Sequence, residues 1–198
     1  MQSCSEKLKS RFISMGRDAM VKEIVSNGGF SMDTIIRKWH RDDAEELAKV
    51  LSNKNIHDNL RDGLPFPYTK KDAQAFIESM LRADSSNTFA FAIVDGDRVI
   101  GSIGVFRSEN IHRRTAEIGY YLSENDWGKG FATRAVTAVT AYIFKETDIL
   151  RIFAEPFSTN KASCRLLEKC GFQFEGTLRK NAVKNGEVKD MHMYALIK

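Results

Sequence analysis

Residues 116–144 read AEIGYYLSENDWGKGFATRAVTAVTAYIF, and the reading of this stretch decides the fold. Ala116, Ile118, Tyr120 and Leu122 alternate as one face of a strand, with Glu117, Gly119 and Tyr121 on the other. A polar turn, Ser123 to Asp126, ends the strand, and a glycine pair, Gly128-Lys129-Gly130, follows it. The spacing then changes to that of a helix, with Phe131, Ala135, Ala138, Val139, Tyr142 and Ile143 on one side. A strand, a glycine loop and a helix start in that order aim several backbone N–H groups at one point, which suits an anion.

Outward from this stretch, the chain alternates short helical and extended patterns. Residues 3–26 read as an amphipathic helix stopped by Asn27-Gly28-Gly29, and Met32 opens a fresh start. Residues 1–31 are therefore expected to be a helical extension ahead of a domain at 32–198, either inert or a docking or dimer element. Thr34–His40 is a first strand. Asp42 and Glu45 have the spacing to cap a helix ending at Leu51. Residues 53–68, with Pro65 and Pro67, read as an irregular loop. Thr69 caps a helix whose inner face is Ala73, Phe76, Ile77, Met80 and Leu81. Strands follow at Phe89–Val94, Val99–Phe106 and Thr115–Leu122. After the central helix come a strand at Ile149–Phe157, a helix at Asn160–Cys170, and a hairpin of Phe172–Arg179 and Val188–Ile197 around Asn185-Gly186. The pattern is mixed α/β in one domain.

Composition excludes several classes. The chain has 198 residues, 42% of them hydrophobic and 28% charged, as in a globular protein. No run approaches the ~20 apolar residues of a membrane helix, and the N-terminal segment lacks the apolar core of a secretory signal. Three cysteines, Cys4, Cys164 and Cys170, form no C-x-x-C pair, which points to reduced thiols in a cytoplasm and to no metal site. The net charge of +4 suits a phosphate-bearing ligand without requiring nucleic acid.

Three phosphate motifs fit the glycine loop differently. A P-loop needs G-x-x-x-x-G-K-S/T, and Gly128 and Gly130 are too close for it. A dinucleotide fingerprint needs a third glycine where Thr133 stands. An ordinary tight turn remains open on the loop alone. However, Trp127 to Ala132 resembles the acetyl-CoA loop of the GNAT superfamily of N-acetyltransferases, with Trp127 in place of the usual Gln or Arg. Thr115 to Tyr120, Asn160-x-x-Ser163, Glu168 to Phe172, Glu175-Gly176 and Asn59 to Thr69 resemble the RimJ/RimL-like branch, which acetylates ribosomal proteins. The likeness runs in order over residues 33–198. It implies a seven-stranded, mostly antiparallel sheet with splayed central parallel strands and helices on both faces.

The resemblance also implies roles. Acetyl-CoA would lie between the splayed strands, with pantetheine near Tyr121, Leu122 and Ser123. Its pyrophosphate would meet Trp127, Gly128, Lys129, Gly130, Phe131, Ala132 and Thr133, and Asn160 would cap the next helix or touch CoA. Lys129, Arg134, Lys161 and Arg165 are either solvated surface or diffuse attraction for a 3′-phosphate. Glu117, a glutamate in an expected central strand, is out of place unless it faces a wet cleft; it is either a solvent-facing strand charge or, as the resemblance implies, the family's general base. The Tyr121 amide matches the group that polarises the thioester carbonyl. The tyrosine acid common in the family is replaced by Leu167; Ser163 matches the serine that serves as acid in the RimL-like branch, and is otherwise a first-turn helix residue bonding to backbone. The expected reaction is direct acetyl transfer to a primary amine. A protein N-terminus is the first choice, with a polyamine or aminoglycoside next. A non-catalytic acyl-CoA-binding module is a separate alternative. Monomer and homodimer are both open.

Overall fold

The strand read from Ala116, Ile118, Tyr120 and Leu122 is the middle of a seven-stranded sheet. A computed structural model describes residues 35–198; the expected helix at 3–26, Cys4 and the extension at 1–31 lie outside them. The elements are β1 (Ile35–Arg37), α1 (Ala44–Leu51), α2 (Lys54–His57), α3 (Lys70–Arg82), β2 (Thr88–Asp95), β3 (Arg98–Arg107) and β4 (Thr115–Leu122). They continue with α4 (Phe131–Glu146), β5 (Arg151–Ala154), α5 (Lys161–Lys169), β6 (Gln173–Lys184) and β7 (Glu187–Ile197). The order across the sheet is β1-β2-β3-β4-β5-β7-β6. Every neighbouring pair is antiparallel except β4 and β5.

Strand alternation sorts the core into two layers. Phe91, Ile93, Ile103, Val105, Ala116, Ile118 and Leu122 face α4 and α5, which contribute Ala135, Val136, Val139, Ile143, Cys164 and Leu167. Ala92, Val94, Val99 and Tyr121 face the other way, onto Trp39, Leu47, Leu51, Ala73 and Ile77 of the α1–α3 layer. Burying both faces is what a central sheet requires, since each strand carries apolar side chains on alternating sides.

The structure departs from the sequence reading in several places. First, β1 keeps only Ile35–Arg37 of the expected strand. Second, the Asp42–Glu45 capping box is not formed. Instead the Asp43 carboxylate accepts from the His40 N–H at 2.8 Å and from Arg37, behind a 3-10 turn at Arg41–Asp43. Third, the expected loop at 53–68 holds α2, because the Asn53 side chain accepts from the N–H groups of Asn55 and Ile56. Fourth, Leu81 is 41% exposed, one helical step of about 100° past the Ala73–Ile77–Met80 stripe. Fifth, β5 stops at Ala154, ahead of Pro156, which has no N–H to donate. In contrast, β6 runs on to Lys184 past a bulge at which Lys180 has φ 55°, the kind of irregularity that bends a long strand. Asn185 and Gly186, at φ 53° and 78°, make the two-residue hairpin turn that such positive angles favour.

Gly101 of β3 lies against the end of β4. A Cβ there would sit 2.2 Å from the Tyr121 carbonyl oxygen. Gly101→Ala is expected to lower stability by about 1–3 kcal/mol, as overpacking does, in urea unfolding monitored by tryptophan fluorescence. An unchanged midpoint would mean that β3 and β4 have slack there.

Candidate active site

Strands β4 and β5 pair over only three residues, Thr115–Glu117 with Arg151–Phe153. Beyond Glu117 they part, and a cavity of about 460 Å³ opens between β4, α2, the start of α4 and α5. The phase of the β3–β4 ladder is set at its ends. The Ser123 N–H donates to Ile100 and the Thr115 carbonyl accepts from Ser108, so odd-numbered residues of β4 turn their backbone groups toward β3. The Tyr121 amide, expected to polarise a thioester, therefore points into the sheet. Tyr120 and Leu122 are the residues whose N–H groups face the opening. Among the other expected contacts, Tyr121, Leu122, Trp127, Gly128, Gly130, Phe131, Ala132, Thr133, Asn160 and Ser163 line the cavity. Ser123 and Lys129 do not.

The glycine loop is shaped by backbone conformation and by one buried carboxylate. Gly128 and Gly130 have φ 75° and 81°, the left-handed region that favours glycine. A Cβ at either would meet no protein atom within 4 Å. The space beside them is open to the cavity. Gly130 starts α4, a 16-residue helix with no side-chain cap. The first N–H groups of α4 thus have no capping side chain, and they lie at the positive end of the helix dipole, an arrangement that suits an anion. Asp126, 1% exposed, anchors the loop. It accepts from Arg98 Nη1 at 2.7 Å and Nη2 at 3.0 Å, and from Lys129 Nζ at 3.1 Å. Lys129 thereby belongs to the scaffold of the loop. The Trp127 indole N–H donates to the Leu122 carbonyl at 3.0 Å, which ties the loop to the strand end.

On the far wall, the Asn160 side chain accepts from the Ser163 N–H at 3.1 Å and caps α5. The Ser163 hydroxyl is 2.8 Å from the Tyr120 hydroxyl. Burial raises the Tyr120 pKa, so the phenol keeps its proton at neutral pH. Arg165 and Lys169 of α5 also reach the cavity. Cys170 is half-buried with its thiol pKa raised by burial, and Cys164 is buried.

Glu117 lies at the point where the strands part, on the α1–α3 face rather than in the cavity. Arg61, in the connection from α2 to α3, forms a two-pronged ion pair with it. Arg61 Nη2 also donates to Glu155 at 3.3 Å. Burial raises the Glu117 pKa, with Arg61 opposing and the Glu155 charge adding to the rise. A carboxylate so placed accepts a proton more readily than an exposed one.

Four features escape a reading of the sequence. Tyr120 reads as a core residue, although a buried phenol needs a partner, and that need is its signal. Asn53 ahead of Ile56 is a cap signature that marks α2, the helix through which Asn55 and, just after it, Asn59 come to the cavity. Asp126 and Arg61 carry no signal, because their partners are distant in sequence. Among the described residues, no group of three or more His, Cys, Asp or Glu is placed to hold a metal. No described helix is long and apolar enough to cross a membrane.

Known proteins resemble this chain in sequence and fold. The acetyltransferase (GNAT) domain family profile matches residues 33–173. An uncharacterized N-acetyltransferase of Bacillus licheniformis, p20, is 32% identical over 167 residues, covering 82% of this chain and 92% of its own. The ribosomal-protein-serine acetyltransferase of Escherichia coli is 31% identical over 107 residues, covering 54% of this chain and 59% of its own. The solved structure of the microcin C7 self-immunity acetyltransferase MccE in complex with acetyl-CoA and AMP superimposes with a TM-score of 0.74. It is 25% identical over 85% of this chain and 94% of its own.

The Asp126 anchor makes a pH-dependent contribution. Arg98 holds its carboxyl below the usual carboxylate range, so its stabilisation is present at neutral pH and fades as pH falls through the lowered value. Asp126→Asn is expected to lower stability by about 1–3 kcal/mol at pH 7. The gap to the unsubstituted protein should narrow below about pH 4. Urea unfolding across pH reads both, and a gap constant with pH would remove the charge from the loop's support.

Proposed function

The chain belongs to the GNAT family of N-acetyltransferases, and we propose that it transfers acetyl from acetyl-CoA to the α-amine of a protein N-terminus. The observation that carries this reading is the cavity that opens where β4 and β5 part. It ends at a glycine loop whose corners are empty and at a helix start without a side-chain cap. A pantetheine arm is an extended chain bearing amides, and the N–H groups of Tyr120 and Leu122 offer it strand-like pairing. The loop from Trp127 to Thr133 offers the pyrophosphate its backbone. The acetyl-CoA complex of MccE supports this choice of donor.

The chemistry then centres on the point where β4 and β5 part. Acetyl-CoA occupies the cavity between α2, the start of α4 and α5, and the amine arrives beside Glu117 at the parting point. Glu117 takes the ammonium proton, directly or through water. The amine nitrogen bonds to the thioester carbon while a β4 N–H steadies the oxyanion. As the C–S bond breaks, the Ser163 hydroxyl, hydrogen-bonded to the Tyr120 phenol, gives its proton to the thiolate, and the second proton shed by the new amide nitrogen returns to Ser163 through solvent. An α-amine, with pKa ~7.7–8.0, needs less help from Glu117 than a lysine at ~10.4. The relationship to a ribosomal-protein-serine acetyltransferase supports the N-terminal acceptor. We assign residues 32–198 as the acetyltransferase unit.

Release of free CoA across an amine panel tests the acceptor. Ribosomal-protein N-terminal peptides should outrun polyamines and aminoglycosides, and the reverse order would replace the acceptor assigned here. Glu117→Gln is expected to lower kcat by about 10²-fold with acetyl-CoA affinity kept; a full rate would remove Glu117 from the reaction. Gly130→Glu should abolish CoA binding in calorimetry, since it places a side chain and a negative charge where phosphate sits. Unchanged affinity would move the phosphate elsewhere.

A further inference from the structure

Arg61 stands out because its position is fixed from three directions, although its own side chain is largely exposed. Asp62, next to it, binds the Nζ of Lys184 at 2.8 Å, and Lys184 is itself buried. Asp58 accepts from Asn185 at 3.0 Å, so the tip of the β6–β7 hairpin grips the connection on both sides of Arg61. At the other end, Glu124 accepts from Asn53 at 2.6 Å and Asn55 at 2.9 Å, tying α2 to the loop after β4. A surface arginine that served only solubility would need none of this support.

The fork of Arg61 meets both oxygens of Glu117, and one of its nitrogens also reaches Glu155. Among the described residues, these two are the charged groups that face Glu117. Its register neighbours are Phe106 on β3 and Phe153 on β5, neither of which titrates. We propose that Arg61 is the positioning residue for acceptor deprotonation. It orients the Glu117 carboxylate and keeps it ionised, while Glu155 opposes it. The inference rests on the reading of Glu117 as the base.

Both charges act on the same carboxylate with opposite sign. Removing Arg61 leaves burial and the Glu155 charge unopposed, and protonation of Glu117 then extends to higher pH. Removing the Glu155 charge does the reverse. General structural damage cannot produce shifts of opposite sign.

The test is the pH profile of kcat/KM with one peptide acceptor, whose own amine titration is common to all variants. Arg61→Ala should move the enzyme's acidic limb up by about one pH unit, and Arg61→Lys should move it less. Glu155→Gln should move it down. The double variant Arg61→Ala/Glu117→Gln should match Glu117→Gln alone. A limb that stays in place in Arg61→Ala, or moves the same way in Arg61→Ala and Glu155→Gln, overturns the proposal. Should Arg61→Ala fail to fold, Arg61→Lys and Glu155→Gln carry the same test of sign. If Glu117→Gln keeps the full rate, the base assignment fails first. If it is slow while the limb is unmoved by Arg61, only the role of Arg61 fails.

Discussion

Everything at this site depends on two parallel strands that stay paired for only three residues. β4 and β5 are hydrogen-bonded as far as Glu117 and Phe153 and then part. A sheet does not leave strand backbone unpaired in its middle without cost, because each buried N–H or C=O without a partner is unfavourable. The parting is accommodated in part because Trp127 satisfies the Leu122 carbonyl, and a cavity lies beside the freed strand between α2, α4 and α5. The same constraint turns alternate residues of β4 to opposite uses. Tyr120 and Leu122 present backbone to the opening, while Glu117 presents a carboxylate to the other face.

Electrostatics follow from this division. On the cavity side, attraction for an anion comes from the start of α4, with Arg165 and Lys169 of α5 also in reach. Asp126, the carboxylate of the loop, is consumed internally by Arg98 and Lys129 and does not oppose it. The opposite side concentrates charge in Arg61, Glu117 and Glu155. The groups that would attract an anion and the Arg61–Glu117–Glu155 cluster are thus made of different residues.

Much of the fold was legible because it rests on local rules. The alternation at 115–122 and the helical spacing after Gly130 need no knowledge of the rest of the chain, and neither does the Asn185-Gly186 turn. The elements misread were those decided by a partner elsewhere or by a local signal set among contrary ones. β5 ended early, just ahead of a proline, β6 continued past a bulge, and α2 was hidden in a segment rich in proline. The site divided in the same way. Gly128 and Gly130 are marked by residue type and spacing, Asn160 and Ser163 by the resemblance, and all four line the cavity. The direction of the Tyr121 amide did not, because it depends on ladder phase, which only pairing with β3 defines. Arg61 lies 56 residues from Glu117, and no periodicity links a loop arginine to a strand glutamate over that distance.

The most direct measurement is backbone hydrogen exchange of the full chain with and without CoA. Slowed exchange should concentrate at residues 128–133 and at Tyr120 and Leu122, with Tyr121 already slow in the free protein through its pairing with β3. Protection that leaves residues 128–133 and the end of β4 unaffected, or that appears on another part of the surface, would contradict the claim that the parted strands hold the donor.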